Sequence, residues 1–163
     1  MTGFRTGRLD VRVSGARATL AGRIDDVAQL RGLATLLPAG DVVIDLAGVT
    51  FINSIGMREW VRLIRVLRDR GTVTLAAVSD VLIVQLNMIA EFRGSVQIAS
   101  FHAAYACPAC GREATMLIDA VGHAAALRAM VAPRLPCPEC GAAMDLADFP
   151  ERYLGIFEPR GAD

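Results

Sequence analysis

The residues best suited to chemistry in this chain are its four cysteines, which lie in two copies of the pattern Cys-Pro-x-Cys-Gly, at residues 107–111 and 137–141. The Cys-x-x-Cys spacing turns two thiolates towards one ion, and the glycine lets the backbone curl so that amides can point at sulfur. Two such pairs complete a tetrahedral site and leave no cysteine over. The pattern predicts one structural zinc per chain, with the ligands Cys107, Cys110, Cys137 and Cys140.

Three other uses of these cysteines are weaker alternatives. Two disulfides suit an oxidising compartment, and a redox dithiol needs only one Cys-x-x-Cys pair. Rubredoxin binds iron with similar paired knuckles, but around an aromatic core, whereas residues 112–136 contain no Phe, Tyr or Trp. A closed four-thiolate site leaves no position for water, so catalysis at the metal is not expected. His102 and His123 are not needed as ligands.

The region around the cysteines is small and acidic. Residues 103–163 hold five arginines and eight acidic residues, a net charge of −3. A unit of this size buries too little surface to fold securely without a metal or a comparable restraint. Because nucleic-acid binding depends on basic contacts to phosphate, the acidic balance disfavours it. A nucleic-acid-associated regulatory factor that binds through its zinc ribbon stays as the alternative function.

The first hundred residues alternate between strand-like and helix-like patterns. Strands are expected near residues 9–13, 18–22, 42–46, 72–78 and 96–101, and helices from Asp25 or Asp26 to Leu37 and over residues 54–70 and 80–92. This order predicts an α/β domain with a small mixed β-sheet flanked by helices. The composition changes near residue 104, which divides the chain into residues 1–104, a zinc ribbon at 105–147, and an aromatic segment at 148–163.

Two stretches of the first domain resemble the STAS domain, the fold of anti-sigma factor antagonists. Residues 42–56, V-V-I-D-L-A-G-V-T-F-I-N-S-I-G, are similar to the family's strand that ends in D/N-L-x-x-V-x-F-[ILM]-D-S-[ST]-G and opens a helix. Residues 20–25, L-A-G-R-I-D, are similar to its L-x-G-x-[IL]-D. The resemblance implies a module without an active site of its own, whose partner is an anti-sigma or kinase-like regulator.

The resemblance also implies that Ser54 is the residue that a partner kinase phosphorylates. Asn53 stands where the family usually has Asp, and Ile55 stands where it has a second Ser or Thr. The alternative is that Ser54 only caps the helix that follows, a role that serine fills well.

The helix after Ser54 carries a basic stripe. Arg58, Arg62 and Arg65 recur at helical spacing, with Trp60 near one edge. The core stripe expected on the same helix is Met57, Val61, Ile64 and Leu67 or Arg68. Arginine and tryptophan are enriched at protein interfaces, so the stripe predicts a face for an acidic protein partner, which would include Asn53 and Ser54. The alternative is a solvated helix face.

We expect a non-enzymatic, cytoplasmic signalling protein that works by reversible protein–protein binding. The N-terminus lacks the apolar stretch of a signal peptide, and no run reaches the roughly 20 apolar residues of a membrane span. No phosphate-binding loop, zinc-protease motif, or nucleophile with an obvious base occurs in the sequence. The ribbon would serve as a second contact or as a homodimerisation surface, and the aromatic segment either folds back or binds a partner.

Overall fold

A computed structural model describes residues 2–159 of the chain, and six strands in it form one mixed sheet. These strands are β1 (Thr2–Thr6), β2 (Leu9–Ser14), β3 (Arg17–Ile24), β4 (Val42–Ile52), β5 (Val73–Ala76) and β6 (Gln97–Ile98). They lie side by side in chain order. The first three strands pair antiparallel, and β3 to β6 pair in parallel. The sheet is therefore mixed, as the sequence predicts.

Three helices pack against this sheet: α1 (Arg31–Leu36), α2 (Ser54–Arg68) and α3 (Asp80–Asn87). Strand β2 shows why one sheet face is buried, since its buried residues Leu9, Val11 and Val13 alternate with exposed ones. The helices connect the parallel strands, because a parallel pair needs a crossover rather than a hairpin.

The four-cysteine region is built on a second sheet. Its strands, all antiparallel, are β7 (Ser100–Ala106), β8 (Glu113–Asp119), β9 (Leu135–Pro136) and β10 (Ala143–Leu146), arranged in the order β8-β7-β10-β9. The short helix α4 (Ala124–Arg128) lies between β8 and β9 in the chain. Each pair of cysteines lies in a loop next to these strands.

The two sheets share one core. The expected strand at 96–101 is in fact two strands, β6 in the first sheet and β7 in the second, joined at Ala99. The Ala99 amide still donates to Leu75 O at 2.9 Å, and the His102 amide donates to Val78 O at 2.7 Å. Every second residue of β7 is buried, so its side chains continue the core of the first sheet. The second sheet consequently begins at Ser100, before the change in composition near residue 104.

The aromatic segment folds back onto the protein. Helix α5 (Pro150–Leu154) and a 3₁₀ turn (Gly155–Phe157) lie against α3. The side-chain Oδ1 of Asn87 accepts from the Ile156 amide at 2.7 Å. The rings of Phe101 and Phe157 are 5.2 Å apart between centroids. Residues 160–163 of the predicted segment lie outside the described residues.

All three predicted helices are shorter than expected, α2 only by its last two residues and the other two by more. Asp25 does not begin a helix: its Oδ1 accepts from the Val27 amide at 3.2 Å in a turn, and α1 starts six residues later. Helix α3 ends at Asn87 and is followed by a separate 3₁₀ turn, Ala90–Phe92. At Asp25 a hydrogen bond from the backbone to the side chain takes the place of a helical turn. After Asn87 the backbone bonds from Met88 N to Gln85 O and from Ile89 N to Leu86 O, both 3.1 Å, are of the tighter 3₁₀ type.

Candidate functional site

The four cysteine sulfurs come together at the loops of the second sheet. They lie within 4.8 Å of one another, with 3.6 Å between Cys107 Sγ and Cys140 Sγ and 3.7 Å between Cys110 Sγ and Cys137 Sγ. Tetrahedral zinc–sulfur bonds of about 2.3 Å place sulfurs about 3.8 Å apart. A disulfide requires about 2.05 Å, so neither pair is bonded. The four thiols are arranged to hold one metal ion.

The two knuckles have the same backbone geometry. In each, the amide of the first cysteine donates to a carbonyl five residues later, and the glycine amide donates back to the carbonyl of that cysteine. These bonds are Cys107 N to Arg112 O at 2.8 Å, Gly111 N to Cys107 O at 2.9 Å, Cys137 N to Ala142 O at 2.7 Å and Gly141 N to Cys137 O at 2.9 Å. Both glycines have a positive φ, 77° and 78°, which residues with a Cβ rarely adopt. The repeat in the sequence is thus a repeat in structure.

Backbone amides favour the thiolate at the first cysteine of each knuckle. The Cys140 amide, with that of Glu139, lowers the pKa of Cys137 to about 7 despite its burial. The Cys110 amide likewise lowers the pKa of Cys107. Because a metal binds the thiolate form, these two buried sulfurs are the better prepared ligands, and Cys110 and Cys140 close the site from the exposed side.

Ser54 lies at the start of α2 but does not cap it. The cap is Asn53, whose side-chain Oδ1 accepts from the Gly56 amide at 2.8 Å. Ser54 is the first helical residue and is exposed. The expected alternative for Ser54, a helix cap, is therefore wrong, because the residue before it has the same capping chemistry and the geometry required.

The start of α2 is held tightly against the end of β3. The Asn53 amide donates to Ile24 O at 3.3 Å. A Cβ on Gly56 would lie 1.8 Å from the same carbonyl oxygen, so only glycine allows this approach. The backbone on both sides of Ser54 is therefore packed directly against the end of β3.

The three arginines of the predicted stripe are all exposed, but their surroundings differ. Arg62 contacts Glu59 Oε1 at 2.8 Å within the helix, and Arg65 binds both oxygens of Glu91, at 2.7 Å and 3.0 Å. Within residues 2–159, Arg58 has no ion-pair partner. Sequence reasoning did not find Glu91, because it lies 26 residues from Arg65 and beyond the end of α3.

Trp60 is wrongly placed in the predicted partner face. It is fully buried, on the helix face that also buries Gly56, Leu63, Ile64 and Leu67. Of the expected core stripe, Ile64 and Leu67 are buried as predicted, whereas Met57 and Val61 are only partly buried. The buried face of α2 is therefore rotated from the predicted one, so that the large indole fills the core.

The structure places the predicted residues in two groups. The cysteines belong to the second sheet, and Asn53, Ser54 and the arginines belong to the helix that follows β4. In a comparison with known proteins, the chain matches no family model and no curated protein sequence. Among the described residues, none of the helices has both the length and the apolar character needed to cross a membrane.

Proposed function

We propose that this protein is a non-enzymatic regulator in which a STAS-like module is joined to a four-cysteine zinc ribbon. Its activity is reversible binding to a protein partner, gated by phosphorylation of Ser54. The order of elements supports the module: an antiparallel strand pair leads into parallel strands, and the serine follows a long buried strand directly. The sequence resemblance of residues 20–25 and 42–56 falls on the two strand ends that meet at this serine.

The observation that carries the proposal is the exposure of Ser54 at the first position of α2, with the cap supplied by Asn53. The hydroxyl is not needed to hold the helix and is free to react. First-turn amides lack partners within a helix and favour negative charge, so a phosphate here leaves the fold intact. Its charge of about −1.5 to −2 changes the docking surface sharply.

The ribbon is a structural part of the same regulator. Its four thiolates would hold zinc in a closed site, where the metal stabilises the knuckles rather than activating water. Leu117 on β8 and Val121 beyond its end are exposed apolar side chains of the ribbon, which would serve a second contact or a homodimer.

Affinity capture from the native host tests this function. The full chain is the bait, and Arg58→Glu reverses a charge on α2 that has no ion-pair partner within residues 2–159. Arg12→Glu is the matched control, since Arg12 is exposed on the strand β2. We expect a kinase-like ATPase or a sigma-factor regulator with the wild type and the control, and much less of it with Arg58→Glu. Recovery of nucleic acid with a steep salt dependence would instead support the nucleic-acid-associated factor.

A further inference from the structure

A small polar cavity lies at the end of α2 that is remote from Ser54. Its volume is about 290 Å³. Its lining includes Arg68, Gly71 and Thr72 on one side and Gly94, Ser95 and Gln97 on the other, so it lies where the chain enters β5 and β6. Arg68 is about 21 Å from Ser54 along the axis of α2, at 1.5 Å per residue. The cavity is therefore distinct from the proposed switch.

The polar side chains that line the cavity all carry hydrogen-bond donors, and none of them is acidic. They are the guanidinium of Arg68, the hydroxyls of Thr72 and Ser95, and the side-chain amide of Gln97. Among the residues that the structure describes, these four side chains make no hydrogen bond and no salt bridge. A set of unused donors with one positive charge and no carboxylate is suited to an anion.

Two carboxylates close to the lining residues are already engaged. Glu91 interacts electrostatically with Arg68, but Arg65 binds both of its oxygens, at 2.7 Å and 3.0 Å. Asp41 accepts a hydrogen bond of 2.8 Å from the Thr72 amide. Neither carboxylate lines the cavity. The guanidinium of Arg68 therefore keeps its donors available for a ligand.

Ser95 gives the clearest indication of a ligand. Its Oγ is shielded from solvent and has no hydrogen-bond partner in the described part of the chain. A shielded hydroxyl without a partner is unfavourable, and rotation about χ1 would turn it towards the cavity that this residue lines. The backbone amides of Gly71 and Gly94 are also unpaired within residues 2–159. Because glycine has no side chain, a ligand would approach these amides closely.

We propose that this cavity binds a phosphate group, with the guanidinium of Arg68 donating to two of its oxygens and the hydroxyls of Thr72 and Ser95 to the others. Arginine matches phosphate with two parallel, charge-assisted hydrogen bonds, and phosphate oxygens accept the remaining donors. The site uses neither the cysteines nor Ser54. It adds a small-molecule ligand to a protein whose proposed function is the binding of a protein.

The neighbourhood of the cavity distinguishes free phosphate from a phosphate ester. Gly94, Val96 and Gln97 also line a second cavity, of about 480 Å³, whose lining includes the apolar side chains of Ile98 and Phe157. An apolar group esterified to the phosphate would extend into this second cavity, as apolar parts of ligands do in mostly apolar clefts. An ester of this kind should consequently bind more tightly than free phosphate.

The first test is a titration of inorganic phosphate into the isotope-labelled full chain, followed by NMR at constant ionic strength. We expect saturable shifts of the Gly71, Gly94 and Ser95 amides. Arg68→Gln should weaken the binding at least about tenfold. Arg12→Gln is the matched control, because Arg12 is exposed on β2 and has no ion-pair partner in the described chain, and it should bind phosphate as the wild type does.

Ser95→Ala separates binding from stability. Because the hydroxyl has no partner, its removal should not lower the urea midpoint measured without phosphate, but it should weaken phosphate binding by about two- to tenfold, the usual contribution of one hydrogen bond. Ser14→Ala, at an exposed serine of β2, should change neither quantity.

Phenyl phosphate, titrated in the same way, identifies the source of the phosphate group. Binding at least about tenfold tighter than that of inorganic phosphate supports an ester with an apolar group, and equal affinity supports free phosphate. Absence of saturable shifts, shifts located elsewhere, or wild-type affinity of Arg68→Gln would overturn the proposal. The titration involves no protein partner, so its failure is distinct from a failure of the Ser54 switch.

Discussion

Asn53 caps α2, and Ser54 is the exposed candidate for phosphorylation, whereas the sequence alone leaves both roles open for Ser54. Both are good capping residues and they are adjacent, so the spacing of apolar residues, which locates a helix start only to within a residue or two, does not separate them. The structure distinguishes them, because the Gly56 amide donates a hydrogen bond of 2.8 Å to Asn53 Oδ1. The exposed Ser54 therefore has no role in capping the helix.

This division predicts different stability costs at neighbouring positions. Asn53→Ala removes the cap and should lower the free energy of unfolding by about 1 kcal/mol. Ser54→Ala should change it by less than about 0.5 kcal/mol, as for other exposed sites. Urea denaturation of both variants measures the difference. A larger loss for Ser54→Ala than for Asn53→Ala would assign the cap to the serine.

At the scale of the elements, the sequence predicts the alternation of strands and helices well, because apolar periodicity reports which positions are buried. The order of the predicted strands and the start of α2 agree with the structure. The sequence does not predict β1, whose burial is weak, or the division of residues 96–101 between two sheets. Both depend on pairing with distant strands, which local patterns do not contain.

The buried face of helix α2 is a second feature that local sequence patterns do not predict, and it leads to a testable prediction. Its buried face includes Trp60, which is fully buried, whereas Met57 is only partly buried. Trp60→Ala should lower the free energy of unfolding by about 3–5 kcal/mol, the cost of truncating a large core side chain. Trp60→Phe, which keeps an aromatic ring, should cost less, and Arg58→Ala on the exposed face should cost less than about 0.5 kcal/mol.

Urea denaturation again provides the measurement for the helix. If Trp60→Ala left the stability unchanged and abolished partner binding, Trp60 would instead be an exposed residue of the partner-binding face.

The arginines were predicted correctly as exposed, since charged side chains are rarely buried without partners. The pairing of Arg62 with Glu59 is local to the helix, at a spacing of three residues, whereas the pairing of Arg65 with Glu91 depends on the tertiary structure, since the two residues are 26 positions apart.

At the scale of the whole molecule, the four cysteines were the most predictable feature. The spacing within each knuckle already restricts the geometry, and the structure brings all four sulfurs within 4.8 Å. The shared core was less predictable. Phe101 and Tyr105 alternate on β7 and are fully buried, so the second sheet is packed onto the first rather than attached by a linker.

Loss of one ligand tests the metal centre. Cys110→Ser should lose the single zinc that we expect by elemental analysis, because three thiolates hold it weakly. Metal binding and folding are coupled in such sites, so hydrogen exchange should quicken in β9 and β10 and remain slow in β4. Ala109→Ser, in the same exposed knuckle, is the matched control and should keep the metal. Full zinc content and an unchanged melting curve for Cys110→Ser would refute the four-cysteine site.

The switching role of Ser54 is tested most directly by the affinity of the captured partner for Ser54→Asp and Ser54→Ala, with Ser14→Asp as the control. Ser14 is exposed at the hairpin that lies at the opposite end of β3. We predict that Ser54→Asp folds normally and binds at least about tenfold more weakly, a loss of about 1.4 kcal/mol, whereas Ser54→Ala and Ser14→Asp bind as the wild type does. Equal affinity of Ser54→Asp and Ser54→Ala, with no phosphorylated species in the intact mass of protein from the native host, would contradict the switch.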